Sequence, residues 1–197
     1  MEMISKLRWA IVVLLALLAL VFVGWGMSAI ARSLFNSTSS DTTTEQVQSI
    51  KAVDVDVVRY TVDGPIVASS DHERYTIEVS RNVVIMRLYS DYGQTVKKEQ
   101  SYRNNSVAYE NFVKSLDTAK VTSRISGTDL EDDEADTGRC PDGRRFIVEI
   151  GDDIRRWTTS CEKVKGTAGG RMTAIGKLFR EQVPDFNDLL KGSKLRY

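Results

Sequence analysis

Residues Arg74–Tyr102, RYTIEVSRNVVIMRLYSDYGQTVKKEQSY, decide the fold. Three β-rich runs, Arg74–Ser80, Val83–Ser90 and Gln94–Tyr102, are separated by the short breaks Arg81-Asn82 and Asp91-Tyr92-Gly93. Runs of this length with such short connections can pair only with their sequence neighbours, which predicts an antiparallel meander. Upstream, Gly64-Pro65 turns the chain, and Ile66–Ser69 is a further β-rich run set off by Ser70-Asp71-His72-Glu73. Before it, Val53, Val55 and Val57 alternate with Asp54 and Asp56, the period of a strand with one buried face formed by these valines.

Downstream, Asn104, Asn105 and Ser106 offer N-caps to a helix in which Tyr109, Phe112, Val113 and Leu116 recur at helical spacing. The helix is expected to end near Asp117–Lys120, with a strand at Val121–Ile125. Phe146–Ile150 and Ile154–Ser160 flank Gly151-Asp152-Asp153 and predict a hairpin. A second helix is expected over Arg171–Gln182, with Met172, Ile175 and Phe179 on one face and Pro184 at its end. The fold class is α+β, a mostly antiparallel sheet with two helices packed on one face, preceded by one transmembrane helix.

Cys140 and Cys161 lie almost symmetrically about the Gly151-Asp152 turn, so the hairpin ladder brings them together and predicts a disulfide. Their spacing is not C-x-x-C, and two cysteines with one histidine are too few for a structural zinc site.

The 23 residues from Trp9 to Ala31, WAIVVLLALLALVFVGWGMSAIA, carry no charge. About 20 suffice to cross a bilayer. Lys6 and Arg8 precede the run, whereas no Lys or Arg follows Arg32 until Lys51. The positive-inside rule then keeps residues 1–8 cytoplasmic and exports the chain beyond the span. Ala29-Ile30-Ala31 has the form of a signal-peptide cleavage site, but the apolar run exceeds the roughly 7–15 residues of such a peptide, which favours a retained signal anchor. No Gly-Phe processing site precedes the span, so a type IV pilin reading fails, and no Cys follows it for lipid attachment. Residues 32–50, including SLFNSTSSDTTTEQVQS, read as a flexible Ser/Thr-rich stalk. Residues 51–190 form the extracytoplasmic domain and 191–197 a basic tail.

The chain holds 27 basic and 27 acidic residues, with a slight positive excess before Ser33 and a matching negative excess after it. No concentrated basic face is present to neutralise phosphates, so nucleic acid is not an expected partner. The one histidine, His72, stands among Ser70, Asp71 and Glu73 and reads as an exposed turn residue. There is no G-x-S-x-G elbow. Ser160-Cys161-Glu162-Lys163 fits S-x-x-K in letters only, and GRMTAIGK at 170–177 has the wrong spacing for a phosphate loop. The acidic run Asp129, Glu131, Asp132, Asp133, Glu134 and Asp136 has calcium-like chemistry, but no register fits an EF-hand. Asn36-Ser37-Thr38 and Asn104-Asn105-Ser106 match the N-glycosylation pattern. No metal, cofactor or catalytic residue is expected.

Gly64-Pro65-Ile66-Val67, Cys140-Pro141-Asp142-Gly143, Trp157-Thr158-Thr159-Ser160-Cys161 and Leu178-Phe179 with Pro184-Asp185-Phe186 together resemble a group of uncharacterised single-pass, N-terminally anchored exported proteins of small-genome bacteria. The resemblance spans most of the folded part and implies a compartment and a fold, without an activity or site residues.

These readings converge on a membrane-anchored, non-catalytic binding or envelope-associated module with an envelope or extracellular protein as partner. Its expected contact surface is Tyr60, Tyr75, Tyr89, Tyr92, Tyr102 and Trp157 on the sheet and hairpin. One alternative is a hydrolase of envelope polymer or peptide using carboxylates of Asp129–Asp136 or Asp152 and Asp153. Another is an accessory subunit of a membrane complex, with Gly24, Gly26, Ser28 and Ala29 allowing close helix approach.

Overall fold

The computed structural model describes residues 49–51, 54–133, 139–161 and 164–196. The apolar run Trp9–Ala31 and most of the stalk lie outside the described residues, and among the described residues no helix is long and apolar enough to cross a membrane.

The elements follow in the order β1 (Val57–Asp63), β2 (Glu73–Ser80), β3 (Val83–Ser90), β4 (Thr95–Arg103), α1 (Ser106–Thr118), β5 (Arg145–Ile150), β6 (Ile154–Thr159), α2 (Met172–Arg180) and the single-turn α3 (Phe186–Leu189). All six strands join one antiparallel sheet in the order β4-β3-β2-β1-β5-β6. The meander and the hairpin predicted from the sequence are both present.

Alternation of side chains gives the sheet two unlike faces. The inner face presents Val58, Tyr60, Val62, Tyr75, Ile77, Val79, Val84, Met86 and Leu88, all buried. On it lie the apolar stripe of α1, Tyr109, Phe112, Val113 and Leu116, and Ile175 and Phe179 of α2. The Phe179 ring stacks on Tyr60 at 5.2 Å and meets Phe112 edge-on at 5.0 Å, so one side chain joins sheet and both helices. Asn105 is the N-cap of α1, its Oδ1 accepting from the Ala108 amide at 3.0 Å.

The outer face carries charges that alternate in sign across all six strands. Glu99 pairs with Arg87 at 2.5 Å, Arg87 with Glu78 at 3.1 Å, Glu78 with Arg59 at 2.9 Å, Arg59 with Glu149 at 3.4 Å and Glu149 with Arg155 at 3.8 Å. Each exposed pair stabilises little by itself. Together they form a charge ladder of balanced sign across the middle of that face.

The edges differ. At β6, the amides of Thr167 and Ala168 both donate to the Trp157 carbonyl at 2.9 Å, so residues 164–168 cover that edge. At β4, Lys97 and Lys98 stand on the edge strand, a composition that opposes strand addition.

Three expectations are corrected. The first strand buries Val58, Tyr60 and Val62 rather than the valine series ending at Val57, which is exposed; Val53 lies outside the described residues. Ile66–Ser69 is not a strand: Pro65 has no N–H, Ile66 N donates to Cys140 O, and Ser69–Asp71 is a single 3-10 turn. Val121–Ile125 likewise forms no strand, contributing one bridge, Arg124 to Ala168.

Candidate functional site

At one end of the sheet β1, β5 and β6 meet the segment around Cys140. The Cys140–Cys161 disulfide is present, with Cα atoms 6.2 Å apart across 21 residues. Gly143 makes room for it, since a Cβ there would collide with both sulfurs. Cys140 O accepts from Ile66 N at 3.3 Å, which ties the bridge to the loop after β1.

Beside it, on the outer face, sits a buried ion cluster. Asp63, the last residue of β1, and Arg145, the first of β5, are register partners and form a salt bridge. His72 Nε2 lies 3.2 Å from Asp63 Oδ1, and Arg139 approaches the same carboxylate at 3.8 Å. Asp63, His72 and Arg145 are 2 %, 1 % and 4 % exposed. The Tyr92 ring stacks flat on His72 at 3.8 Å. Tyr92 holds that place by exchanging hydrogen bonds with the backbone of Val67, and Asp91 and Tyr92 both take left-handed φ values of 57° and 53° to reach it.

This overturns the reading of His72 as an exposed turn residue. Burial lowers its pKa; Asp63 works against burial, while Arg139, Arg74 and Arg145 add to it. Burial thus favours the neutral imidazole, and Nε2 is the ring nitrogen that faces the Asp63 carboxylate. Its Nδ1 is buried and meets no hydrogen-bond partner among the described residues. The cluster ties the end of β1 to the start of β5 as an ionic clasp.

On the inner face of the same end, an open groove of about 830 Å³ runs between α2, the 181–188 segment and the sheet. Phe146, Thr158 and Met172 line its floor, with Tyr60 behind them. Gly176 permits the closeness of α2 to the sheet: a Cβ there would lie 2.6 Å from Tyr60 Oη. Lys177, Arg180 and Glu181 line it from α2 and its C-terminal end, and Asp185 and Asp188 from the segment that follows. Its volume falls in the range of ligand pockets.

The aromatic contact surface expected from the sequence does not exist as one surface. Tyr60, Tyr75 and Trp157 are 2 %, 0 % and 0 % exposed and serve as packing. Tyr60, Tyr75 and Tyr102 belong to the inner face, Tyr89 and Trp157 to the outer one. Tyr102 donates its hydroxyl to Asp185, Arg74 lies over Tyr89 at 5.2 Å, and Tyr92 covers His72.

The acids proposed for hydrolysis do not converge. Asp132 is held by Arg124 at 3.1 Å and by Arg156, Asp129, Glu131 and Asp133 are exposed, and Asp152 and Asp153 form the exposed hairpin turn. Glu134 and Asp136 lie outside the described residues. Among the described residues no group of three His, Cys, Asp or Glu side chains could hold a metal ion. Asn104, in the second glycosylation motif, donates Nδ2 to Ser80 O at 2.6 Å and is thereby engaged in the fold.

Sequence reading missed Asp63, Arg139, Arg145 and the groove. Asp63 and Arg145 carried one usable signal: each stands next to a turn at a strand end, where alternation along paired strands puts opposite charges on one face. Comparison with protein-family models, curated proteins and solved structures finds no match.

Proposed function

We propose that this chain is a non-catalytic binding module, anchored in a membrane by Trp9–Ala31 and carrying its folded domain outside the cytoplasm. The disulfide carries this reading. Both cysteines of the chain are consumed in it, and such bridges persist in oxidising compartments. The uncharged 23-residue run and the Lys6/Arg8 bias supply the export route. The resemblance to single-pass exported proteins of small-genome bacteria fits the same compartment. Binding, rather than hydrolysis, is favoured because the acids expected to act together are separated or paired with arginine, while the groove supplies a concave surface with apolar floor and charged rim.

Protease added to intact cells, followed by denaturing alkylation and mass measurement of the mature protein, tests this. The domain is expected to be cleaved without lysis, the cysteines to be alkylated only after reduction, and the mass to retain the apolar segment. A domain protected until lysis, or thiols alkylated without reductant, would refute export.

A further inference from the structure

The lysines that discourage strand addition guard only one half of β4. The register shift opposite Leu88 and Tyr89 falls at Lys97, so the bulge and both lysines lie before Glu99. Lys97 is drawn to Glu73 at 2.5 Å and Lys98 to the carbonyl of Leu189 at 2.7 Å. Residues 99–103 carry no proline, bulge or lysine. The Asn104 amide donates to Asn82 O at 2.9 Å. Alternation from that bond turns the N–H and C=O of Tyr102 and Gln100 to β3, and those of Glu99, Ser101 and Arg103 to the open edge. Among the described residues only the Gln100 side chain reaches these edge groups, at 3.4 Å from Ser101 O. Gln100 lies opposite Met86, on the inner face, and is itself exposed, so nothing among the described residues closes the edge there.

The side chains of this stretch complement those of a second copy. Glu99, Ser101 and Arg103 share the outer face, opposite Arg87, Ile85 and Val83. Glu99 ends the charge ladder, holding Arg87 while its side chain stays 51 % exposed. Arg103 is exposed and, among the described residues, meets no acid. Let two such strands run antiparallel about a two-fold axis at Ser101. Glu99 then falls opposite Arg103 of the second copy, and Arg103 opposite its Glu99, on one face. The backbone matches in the same register, because these pairs, and Ser101 with its counterpart, each exchange both N–H···O bonds. Centred on Glu99 or Arg103, pairing would set like charges opposite one another. Centred on Gln100 or Tyr102, it would leave a charge facing Ser101. A foreign strand would need the same acid-to-base spacing, which this chain already presents to itself.

We propose that residues 99–103 form a two-fold, strand-to-strand interface between two copies of this chain, joining their sheets into one. Pairing stops where the Lys97 bulge of one copy meets Asn105, the N-cap of α1, of the other. So short an edge is a small interface, and the dimer is weak in dilute solution. The axis is normal to the sheet, which puts both helical layers on one side. Ser49 and Ile50, held by Asp117 at 3.3 and 3.2 Å near the end of α1, therefore enter both copies from that side. Two chains tethered to one surface meet without inversion, and tethering raises their effective concentration. The interface stands independently of the groove.

Cross-linking at the axis tests this. Ser101→Cys faces its own counterpart at a Cα separation of about 5.5 Å. Thr95→Cys, on the exposed first half of the same strand, lies roughly 40 Å from its counterpart in that register. Each full-length variant, concentrated in detergent with the native disulfide intact, is treated with a short bis-maleimide, and the dimer yield is read on denaturing gels. Ser101→Cys is expected to cross-link, and Thr95→Cys to give roughly tenfold less dimer or none. Adding Arg103→Glu or Glu99→Arg to Ser101→Cys should each lower the yield roughly tenfold, since either change sets like charges opposite one another. Mixing these two variants should raise the yield again, because every acid then faces a base; recovery also shows that both variants fold. Equal yields at positions 95 and 101 would place the contact elsewhere, the apolar N-terminal run included, and overturn the interface. A mixture no better than its components overturns the charge pairing that selects the register. Absence of dimer at position 101 overturns the second copy as occupant and leaves the edge to a foreign strand or to none.

Discussion

Acidification should destabilise this domain through His72, and the size of the effect is set by its surroundings. The imidazole is 1 % exposed, sets Nε2 3.2 Å from Asp63 Oδ1 and lies under the Tyr92 ring. The charged groups facing it are Asp63 from β1, Arg74 from β2, Arg145 from β5 and Arg139 beside the disulfide. Asp63 already pairs with Arg145, so an added proton on His72 would place a further positive charge among three arginines in a buried site. Burial lowers the folded pKa below the ordinary value of 6.5. The unfolded chain consequently takes up the proton first as pH falls. Stability is full above about pH 6.5 and declines below it until the folded pKa is reached, with a slope of up to about 1.4 kcal/mol per pH unit for one proton. At a urea m-value of about 1–3 kcal/mol/M, the midpoint falls by roughly 0.5–1.4 M per unit. Urea melts of non-reduced full-length Trp9→Phe/Trp25→Phe protein in detergent between pH 7.5 and 5, followed by Trp157 fluorescence with near-ultraviolet circular dichroism as a second probe, measure this. His72→Gln keeps an amide donor near Asp63 but cannot titrate; it should be less stable at pH 7.5 and flat across the window. Since His72 is the only histidine in the chain, an equal slope in His72→Gln, or a flat wild-type profile, refutes the account.

Glu73 should act in a lower pH window. Burial raises its pKa, but Lys97 at 2.5 Å, Ser193 at 2.7 Å and the Lys194 amide at 2.8 Å bring it net below 4.5. Its contribution is present above that pH and is lost as pH falls through the folded pKa. Glu73→Gln should cost about 1–3 kcal/mol at neutral pH and speed amide exchange at Leu195, measured by hydrogen exchange. Replacing both cysteines with serine should cost about 3 kcal/mol in urea melts, from the 21-residue separation. Phe179→Ala, which removes the ring shared by Tyr60 and Phe112, should cost about 3–5 kcal/mol by the same assay.

Much of the fold was legible because its punctuation is local. Arg81-Asn82, Asp91-Tyr92-Gly93 and Gly151-Asp152-Asp153 separate runs that pair with their immediate neighbours, and the cysteine pair follows from the hairpin. The face of β1 was misread because this central strand buries Tyr60, Thr61, Val62 and Asp63 in succession, which erases period-two alternation; the cleaner alternation lies in the lead-in before it. His72 was misread for a different reason. Its neighbours Ser70, Asp71 and Glu73 are polar, and the groups that bury it come from elsewhere: Asp63 across the β1–β2 connection and Tyr92 from the β3–β4 turn. Pairing of Asp63 with Arg145 spans 82 residues and depends on the β1–β5 register, which no local pattern specifies. The groove was equally invisible, since it is the part of the inner face left open between α2 and the 181–188 segment.

The two faces of this end of the sheet are linked through a single dipeptide. Alternation along β5 sends Arg145 outward to Asp63 and Phe146 inward to the groove floor, so adjacent residues of one strand serve the clasp and the candidate site. Across from them on β6, Thr158 lines the groove opposite Phe146, and Thr159 stands opposite Arg145 two residues before Cys161. A one-residue slip between β1 and β5 would exchange these roles, putting an arginine on the apolar floor and a phenylalanine against Asp63. Loss of the buried pair and exposure of the ring would penalise that alternative together, since breaking a buried ion pair costs about 3–5 kcal/mol. The Asp63–Arg145 pair therefore penalises the slipped register that would dismantle the groove. The disulfide closes the chain around the β5–β6 hairpin at the same end of the sheet.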